Sequence, residues 1–331
     1  MKGSGGHTAG EGPTWEQEFL EYLEGIISRR LRERDATGHK QPDEHAVSEP
    51  EWVGGIEAAD DGLATTAVSS GVHELDARLG GGFFPGLWTI AGPSAAGTTA
   101  FLESVALEAA TSRLPVVYYA LNESVEAVRE RLLDALACIM AAWVEDALDG
   151  RMESPSNRGL LTGLDRTLLA TVLSSVRILD SVPLGPDPIA AFLRSLEHTL
   201  GPVTPRVGSG PVVVIDDQTT LLRALRVESG QGALRAVAGL DGALLRRGSP
   251  GLMAALPDLV ALLPPGEEAK TKGLIHLGRG HIELVSRSAT RIDAIIRENT
   301  HATWRGAVSL VLHPSVCMFT SAVSPRRPPP P

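Results

Sequence analysis

The sequence is poor in aromatic residues, in cysteine and in long apolar runs. Aromatic side chains make up 4% of the 331 residues and hydrophobic ones 43%, so any core must consist mostly of Ala, Leu, Val and Ile. The two cysteines, Cys138 and Cys317, form no CxxC motif and no Cys/His cluster. This argues against a zinc site and against a disulfide framework, and we expect two free thiols in a reducing cytoplasm.

Membrane and leader signals are also missing. No apolar run approaches the length of a membrane span, and the N-terminal residues contain no apolar segment of a signal peptide, which predicts a cytoplasmic protein without a membrane partner. The formal net charge of -10 argues against a protein that coats nucleic acid generally. A local basic channel remains compatible with that charge, because binding depends on local potential.

Composition divides the chain into five segments. Residues 1–13 are polar and rich in glycine, which predicts a disordered tail, and 14–34 repeat apolar residues at helical spacing, which predicts an amphipathic helix. Residues 35–67 are polar and acidic, as in a linker. We expect an ordered domain over 68–322 and a disordered, proline-rich tail over 323–331.

Within the ordered domain, predicted strands and helices alternate. Strands are predicted at 87–91, 116–121, 176–180, 212–216 and 252–256, helices at 98–111, 124–148, 188–199 and 233–246, and three later strands at 281–286, 289–297 and 307–313. This alternation predicts an α/β fold with a mainly parallel sheet, helices on both faces and antiparallel strands at the C-terminal side.

A glycine-rich loop lies between the first predicted strand and the helix after it. Gly92 and Gly97 have the spacing of the phosphate-binding motif G-x-x-x-x-G-K-[ST], and Thr99 stands where a hydroxyl holds Mg²⁺. Threonine at position 98 replaces the motif's lysine. The candidate nucleotide-binding residues are Gly92, Pro93, Ser94, Ala95, Ala96, Gly97, Thr98 and Thr99.

Loss of the lysine separates binding from hydrolysis. Backbone amides and the helix N-terminus still attract phosphate, but the charge that stabilises a transferring phosphoryl group is gone. We therefore expect weakened binding of ATP and Mg²⁺ and no fast turnover. The alternative is a turn of small residues that binds no nucleotide.

The surroundings of the loop carry a resemblance to a known family. The stretches at 71–76 (GVHELD), 79–82 (LGGG) and 86–91 (GLWTIA), followed by the loop and Phe101, resemble the helicase domain of the DnaB-type replicative helicases. That family belongs to the RecA-like P-loop ATPases, with RadA- and KaiC-like proteins as relatives. The resemblance implies ATP and Mg²⁺ as ligands, a ring- or filament-forming homo-oligomer, and DNA as a partner.

The second motif of the resemblance ends the strand at 116–121. In the family, a glutamate at this place activates the attacking water, and an arginine follows nine residues later. Here Asn122 takes the glutamate's place and Arg131 matches the arginine. An amide cannot accept a proton as a general base. The adjacent Glu123 is the alternative base, although a shift of one residue at a strand end points a side chain to the other face.

The third motif is the strand Val212–Asp216, which resembles the Walker B strand. The resemblance implies that Asp216 binds Mg²⁺ through water, and the alternative is an aspartate that caps the next turn. Thr219 stands where the family has a glutamine. At the family's sensor position, this chain has Leu256 and Pro257.

The fourth motif is the segment 293–300, which resembles the family's Lys-x-Arg-Asn-Gly segment that reaches the neighbouring subunit's nucleotide. Arg297 takes the place of the lysine and Asn299 that of the arginine finger. Arg305 lies nearby, outside the pattern. The alternative for Arg297 is an ordinary solvent-facing strand residue.

Alteration of four separate positions (Thr98, Asn122, Asn299 and the sensor near Pro257) favours a non-hydrolysing, nucleotide-binding assembly component. The alternatives are an active ATPase or helicase with substitute residues and a structural protein with an empty loop. The helix at 14–34 either packs on its own domain or docks on a neighbouring subunit. Arg223 and Arg226 are candidate DNA contacts, or merely solvated side chains.

Overall fold

The structure is a computed structural model, and it describes residues 67–93, 96–148, 172, 174–183, 185–201, 210–255, 278–313 and 318–321. The predicted tails, the helix at 14–34, the linker up to residue 66 and the sensor position at 256–257 lie outside these ranges. The chain divides into two compact units, Met1–Val53 with Leu136–Thr162 and Gly54–Ala135 with Gly163–Pro331. Of the first unit, the structure describes only residues 136–148.

The described elements follow one another in the α/β order that the sequence predicts. They are α1 (His73–Leu79), β1 (Gly86–Ala91), α2 (Thr98–Thr111), β2 (Val116–Ala120), α3 (Val125–Leu148), β3 (Val176–Leu179), α4 (Pro188–Leu200), β4 (Val212–Asp216), α5 (Gln218–Ala224), α6 (Gly230–Arg246), β5 (Pro250–Ala255), β6 (Gly280–Ser286), β7 (Arg291–Asn299), β8 (Gly306–His313) and β9 (Met318–Ser321).

The nine strands of the described residues form one sheet in the order β3-β2-β4-β5-β1-β6-β7-β8-β9. The pairs from β3 across to β6 are parallel, and the pairs β6–β7, β7–β8 and β8–β9 are antiparallel. Because β1, β2 and β4 are parallel, the loops after them lie at the same edge of the sheet. The predicted phosphate loop, Asn122 and Asp216 are therefore brought together.

Helices cover both faces of this sheet. On one face, Val117 and Tyr119 of β2 belong to a core shared with α4 and α6, and the Tyr119 ring stands edge-on to Phe192 with 5.5 Å between ring centroids. On the other face, Phe101 of α2 packs edge-on to Phe319 of β9 at 5.6 Å. Helix α2, which begins at the phosphate loop, is thus held by buried aromatic contacts.

Side-chain caps explain where three of the helices begin. Asp187 accepts a hydrogen bond from the backbone N–H of Ala190 at α4, Asp217 one from Thr220 at α5, and Ser229 one from Gly232 at α6. A side-chain oxygen at this position satisfies an N–H group that has no partner within the helix. The caps place α5 directly after β4, at the edge of the sheet that carries the phosphate loop.

The predicted α/β class is confirmed, and several predicted boundaries were wrong by one or two residues. Strand β7 begins at Arg291 rather than 289, because the N–H groups of Arg287 and Ser288 both donate to the Arg291 carbonyl in a turn. Strand β5 begins at Pro250, where a missing N–H is tolerated at the first strand residue. Helices α1 and α5 were not predicted, since seven residues are too few for a clear helical period.

Candidate functional site

The predicted phosphate loop lies between β1 and α2, and neither of its motif glycines has room for a Cβ. A Cβ at Gly92 would lie 2.9 Å from the Ala96 Cβ and 3.1 Å from the Thr98 Oγ1. Gly97 has φ +83° and precedes the first residue of α2, and a Cβ there would lie 3.1 Å from Ile292 of β7. Both positions therefore require glycine, and α2 begins directly after the second of them. The candidate residues Ser94 and Ala95 lie outside the described ranges.

The two residues predicted to hold Mg²⁺ are in contact. The Thr99 hydroxyl donates a hydrogen bond to the Asp216 carboxylate, which also accepts one from the Tyr118 hydroxyl at 3.3 Å. Burial raises the pKa of Asp216, and the hydrogen bond from Thr99 opposes that rise. Loop and strand therefore meet through a hydroxyl and a carboxylate, which are the hard oxygen donors that Mg²⁺ prefers.

Asn122 is engaged by the residues that follow β4. Its amide nitrogen donates to the Asp217 carboxylate, and its amide oxygen accepts a hydrogen bond from the Thr220 hydroxyl. The other Asp217 oxygen accepts the backbone N–H of Thr220 at 2.8 Å. At the position where the family resemblance implies a general base, the chain has a closed ring of hydrogen bonds among three residues, two between side chains and one from the Thr220 backbone N–H.

Glu123 is bound to an arginine. Its carboxylate forms an ion pair with one nitrogen of Arg131, and the Nε of the same guanidinium donates to Glu103 at 2.9 Å. Arg131 Nη2 lies 2.8 Å from the same Glu103 oxygen, outside hydrogen-bond geometry. Glu103 lies on α2 with its side chain 2% exposed. Arg131 thus joins a buried carboxylate to an exposed one.

The pKa values in this cluster show which effect dominates at each group. Burial raises the pKa of Glu103 above its ordinary value, and the hydrogen bond from Arg131 opposes that rise without cancelling it. Burial lowers the pKa of Arg131, but the hydrogen bonds from its guanidinium to Glu103 and Glu123 raise it more, so the arginine stays charged. We conclude that the guanidinium compensates only part of the cost of burying Glu103.

The two neighbour-reaching candidates have different surroundings. Arg297 is exposed and pairs with Glu283 of the adjacent strand at 2.6 Å. Asn299 is buried, and its amide nitrogen donates to the Leu79 carbonyl at 3.1 Å. Its amide oxygen accepts the N–H groups of His301 and Ala302 at 2.9 and 3.2 Å. The Asn299 side chain therefore forms its hydrogen bonds within its own chain, to the end of α1 and to the loop after β7.

The candidate DNA contacts lie where α5 ends. Arg223 and Arg226 are both exposed, and Arg226 adopts φ +54° in the turn after the helix. In the same short helix, Gln218 and Thr219 are buried, and their side-chain polar atoms have no hydrogen-bond partner. The structure does not bring Thr219 into the bonded ring that contains Asn122.

The described residues contain neither a metal-binding cluster nor a membrane-spanning helix. No group of three or more His, Cys, Asp or Glu side chains among them could hold a metal ion. A Mg²⁺ ion here would depend on Thr99 and Asp216 together with phosphate and water oxygens, as is usual for Mg²⁺ at nucleotides. None of the described helices is long and apolar enough to span a bilayer.

Comparison with known proteins gives matches in structure alone. No protein-family profile matches this chain, and no curated protein matches it. One solved ATPase domain superposes with a TM-score of 0.58 at 18% identity, over 80% of this chain and 94% of that one. A DnaB-like replicative helicase, solved in a study of its interactions with primase, gives 0.56 at 19% identity over 79% of this chain.

The fold is that of the RecA-like P-loop ATPases. This chain spans 64% of the DnaB-like helicase, so it matches a part of that protein. The RecA-like fold also occurs in the flagellar accessory protein FlaH from Methanocaldococcus jannaschii, at a TM-score of 0.50 and 14% identity over 78% of this chain and all of that one. At these identities the likeness is one of fold.

Sequence reasoning missed several polar residues around the candidate site. Tyr118 on Asp216, the ring partners Asp217 and Thr220, and the buried Glu103 were not singled out. One signal was present for Glu103: a charged residue inside the apolar run of α2 is rare unless it is paired. Its partner lies 28 residues away, a spacing that no local pattern reveals.

Proposed function

We propose that this RecA-like chain binds a nucleoside triphosphate with Mg²⁺ at the loop of residues 92–99 and does not hydrolyse it. It acts as the assembly or binding component of a homo-oligomer in DNA replication or repair. In this proposal, the backbone of the loop cradles the phosphates, while Thr99 and Asp216 hold the metal ion. Bound Mg²⁺ would supply charge neutralisation for the phosphates.

The observation that carries the proposal is the ring of Asn122, Asp217 and Thr220. Thr99 and Asp216, which we propose for the Mg²⁺ side of the site, are in hydrogen-bonding contact. The position of the general base, by contrast, holds an amide whose nitrogen and oxygen both have protein partners. An amide in that state neither accepts a proton from water nor turns toward a phosphate without breaking two hydrogen bonds.

Glu123 does not replace the missing base in this proposal. Its carboxylate is paired with Arg131, and a carboxylate held by a guanidinium is a weaker general base. The lysine's charge has no replacement in the loop, where Thr98 carries only a hydroxyl. Both the positive charge on the γ-phosphate and the base for water are thus lacking, and each loss alone slows phosphoryl transfer strongly.

The setting in replication or repair rests on likeness of fold to a DnaB-like replicative helicase. The same likeness supports a homo-oligomer, with the exposed Arg297 at the surface proposed to meet a neighbouring copy. DNA is the second proposed ligand, with Arg223 and Arg226 as its first candidate contacts.

Equilibrium titration tests the nucleotide-binding part of the proposal. The purified chain is titrated calorimetrically with ATP, with and without Mg²⁺, beside the variants Thr99→Val and Asp216→Asn. We expect saturable binding that needs Mg²⁺ and that weakens at least tenfold in both variants. Thr111→Val removes a hydroxyl at the far end of the same helix and serves as the matched control. Binding that is absent in the parent, or that both site variants leave unchanged, contradicts the proposal.

A further inference from the structure

A contiguous basic and aromatic surface lies at the edge of the sheet opposite the phosphate loop. It is built by the end of α1, by Phe84 just before β1 and by the loop that follows β7. Strand β1 has six residues and separates Phe84 from the predicted phosphate loop, a length of about 20 Å at the usual rise per residue. This surface is therefore distinct from the nucleotide site. We call it the amino-edge patch, made of Arg78, Phe84, Arg279, His301, Trp304 and Arg305.

Two ring contacts define the patch. The His301 and Phe84 rings are stacked, with 4.3 Å between centroids and 17° between planes. The Arg78 guanidinium lies over the Trp304 ring, 4.8 Å from its centroid. His301 is exposed although one face of its ring is stacked on Phe84, and we take the other face as the accessible one.

The patch is preformed by hydrogen bonds and close packing. Asn299 ties the loop to the end of α1 through the Leu79 carbonyl and fixes the backbone of the next residues. At Gly80, a Cβ would lie 3.6 Å from Ala302 and 3.8 Å from the Phe84 ring. The rings are thus fixed before any ligand arrives, which reduces the entropic cost of stacking.

The guanidinium groups of the patch lack carboxylate partners. Elsewhere on the sheet, Arg287 pairs with Asp293 and Arg297 with Glu283, each at 2.6 Å. In the part of the chain that the structure describes, no ion pair is formed by Arg78, Arg279 or Arg305, and the Nε of Arg279 is buried without a hydrogen-bond partner.

Nearby carboxylates are engaged with other groups. Asp76 accepts hydrogen bonds from Ser69 and from the N–H of Ser70, and Asp241, which lies beside Arg279, accepts the N–H of Leu87 at 2.7 Å. The patch therefore presents uncompensated positive charge, although the whole chain carries a net charge of -10.

We propose that the amino-edge patch binds single-stranded nucleic acid, with Arg78 and Arg305 on phosphates and the open face of His301 stacked on a base. Exposed stacking rings beside unpaired guanidinium groups are the combination that binds single strands without sequence preference. An acidic protein would use the same charges but would have no need for an exposed ring held flat on Phe84. This inference concerns DNA binding alone and does not rest on nucleotide binding in the phosphate loop.

Fluorescence anisotropy tests the proposal with a labelled oligothymidine of about thirty nucleotides, over a series of salt concentrations and without ATP. We expect the double variant Arg78→Ala/Arg305→Ala to bind at least tenfold more weakly. Its salt slope should fall by about 1.4, because each lost single-strand phosphate contact removes about 0.7. His301→Ala should weaken binding at least fivefold, and His301→Phe should restore most of the affinity because it keeps a stacking ring.

A matched control removes the same charge elsewhere. Arg113→Ala/Arg129→Ala takes two exposed arginines from other surfaces. Equal weakening in this control contradicts the assignment to the amino-edge patch, as does a parent chain that binds no oligothymidine at low salt. The inference is also overturned if the patch variants bind normally but light scattering shows a smaller oligomer, because the patch would then be an interface between copies. Since no nucleotide is present, these outcomes leave the titration with ATP unaffected.

Discussion

The side-chain amide of Asn122 donates a hydrogen bond to the carboxylate of Asp217, and this contact links the ends of two parallel strands. In this bond the amide is the donor and the carboxylate is the acceptor. It would be lost if position 122 carried an acid, because two carboxylates would then face each other. The chain around position 122 is therefore adapted to the amide.

The adaptation predicts how an acid at this position behaves. Asn122→Glu should destabilise the fold by about 1 kcal/mol, since it exchanges a charge-assisted hydrogen bond for repulsion between carboxylates. Asp217→Asn in the same chain should recover most of that loss, because it removes one of the two charges. Urea unfolding of the two single variants and the double variant measures the coupling. Strictly additive effects would show that the two side chains do not interact.

Restoring the charge of the phosphate loop should tighten nucleotide binding. Thr98→Lys places an ammonium group where Thr98 Oγ1 now lies beside Gly92, and we expect the Kd for Mg·ATP to fall about tenfold, which corresponds to about 1.4 kcal/mol. Thr111→Lys adds the same charge at the other end of α2 and should leave the Kd unchanged. Equal tightening in both variants would mean that net charge, and not the loop, attracts the nucleotide.

Gly97 offers a test of the cradle's backbone. Gly97→Ala should cost about 1–2 kcal/mol of stability, because alanine at φ +83° is strained and its Cβ would press on Ile292 and on Phe319 of β9. It should also abolish Mg·ATP binding. Gly201→Ala is the control, since Gly201 has φ +69° with nothing within 4 Å of an added Cβ. If the nucleotide affinity falls equally in the control, the loss of binding is caused by backbone strain in general and not by the loop.

The Arg131–Glu103 pair predicts a pH dependence of stability. Arg131→Met leaves Glu103 buried without its partner, which should cost about 3 kcal/mol at neutral pH. Burial raises the folded-state pKa of Glu103 above the unfolded value, so the folded state binds a proton more tightly. The stability is therefore retained below the unfolded-state pKa and lost as the pH rises through the raised folded-state pKa.

Urea unfolding at about pH 5 and about pH 8 checks this sign. The deficit of Arg131→Met relative to the parent should be larger at the higher pH. Arg129→Met, an exposed arginine on the same helix, should show a small deficit that does not change with pH. A deficit of Arg131→Met that is equal at the two values, or larger at the lower one, would exclude burial of Glu103 as its cause.

The sheet and the crowded glycines between β1 and α2 could be predicted because their signals are local. The β-branched run of Val212–Asp216 and the spacing of Gly92 and Gly97 each lie within a few residues, and a strand, a turn and a helix follow directly from them. The predicted positions of Thr99 and Asp216 at one edge then followed from the parallel order of the strands.

The remaining features depend on contacts between distant parts of the chain. Asn299 was expected to mark a lost arginine finger, and its structural role became visible only through its hydrogen bond to Leu79, 220 residues away. The amino-edge patch likewise joins Phe84 to His301. Low aromatic content made a stacking surface improbable from composition alone, and composition does not show that the few rings gather at one place.

The central claim is that the RecA-like site holds a triphosphate and leaves it intact. Its most direct test incubates the purified chain with Mg²⁺ and radiolabelled ATP at protein excess, removes free nucleotide, and separates the retained ATP and ADP over several hours. We predict retained ATP that persists uncleaved and that is absent from Asp216→Ala. Conversion of the retained ATP to ADP by the parent, abolished in Asp216→Ala, would contradict the claim.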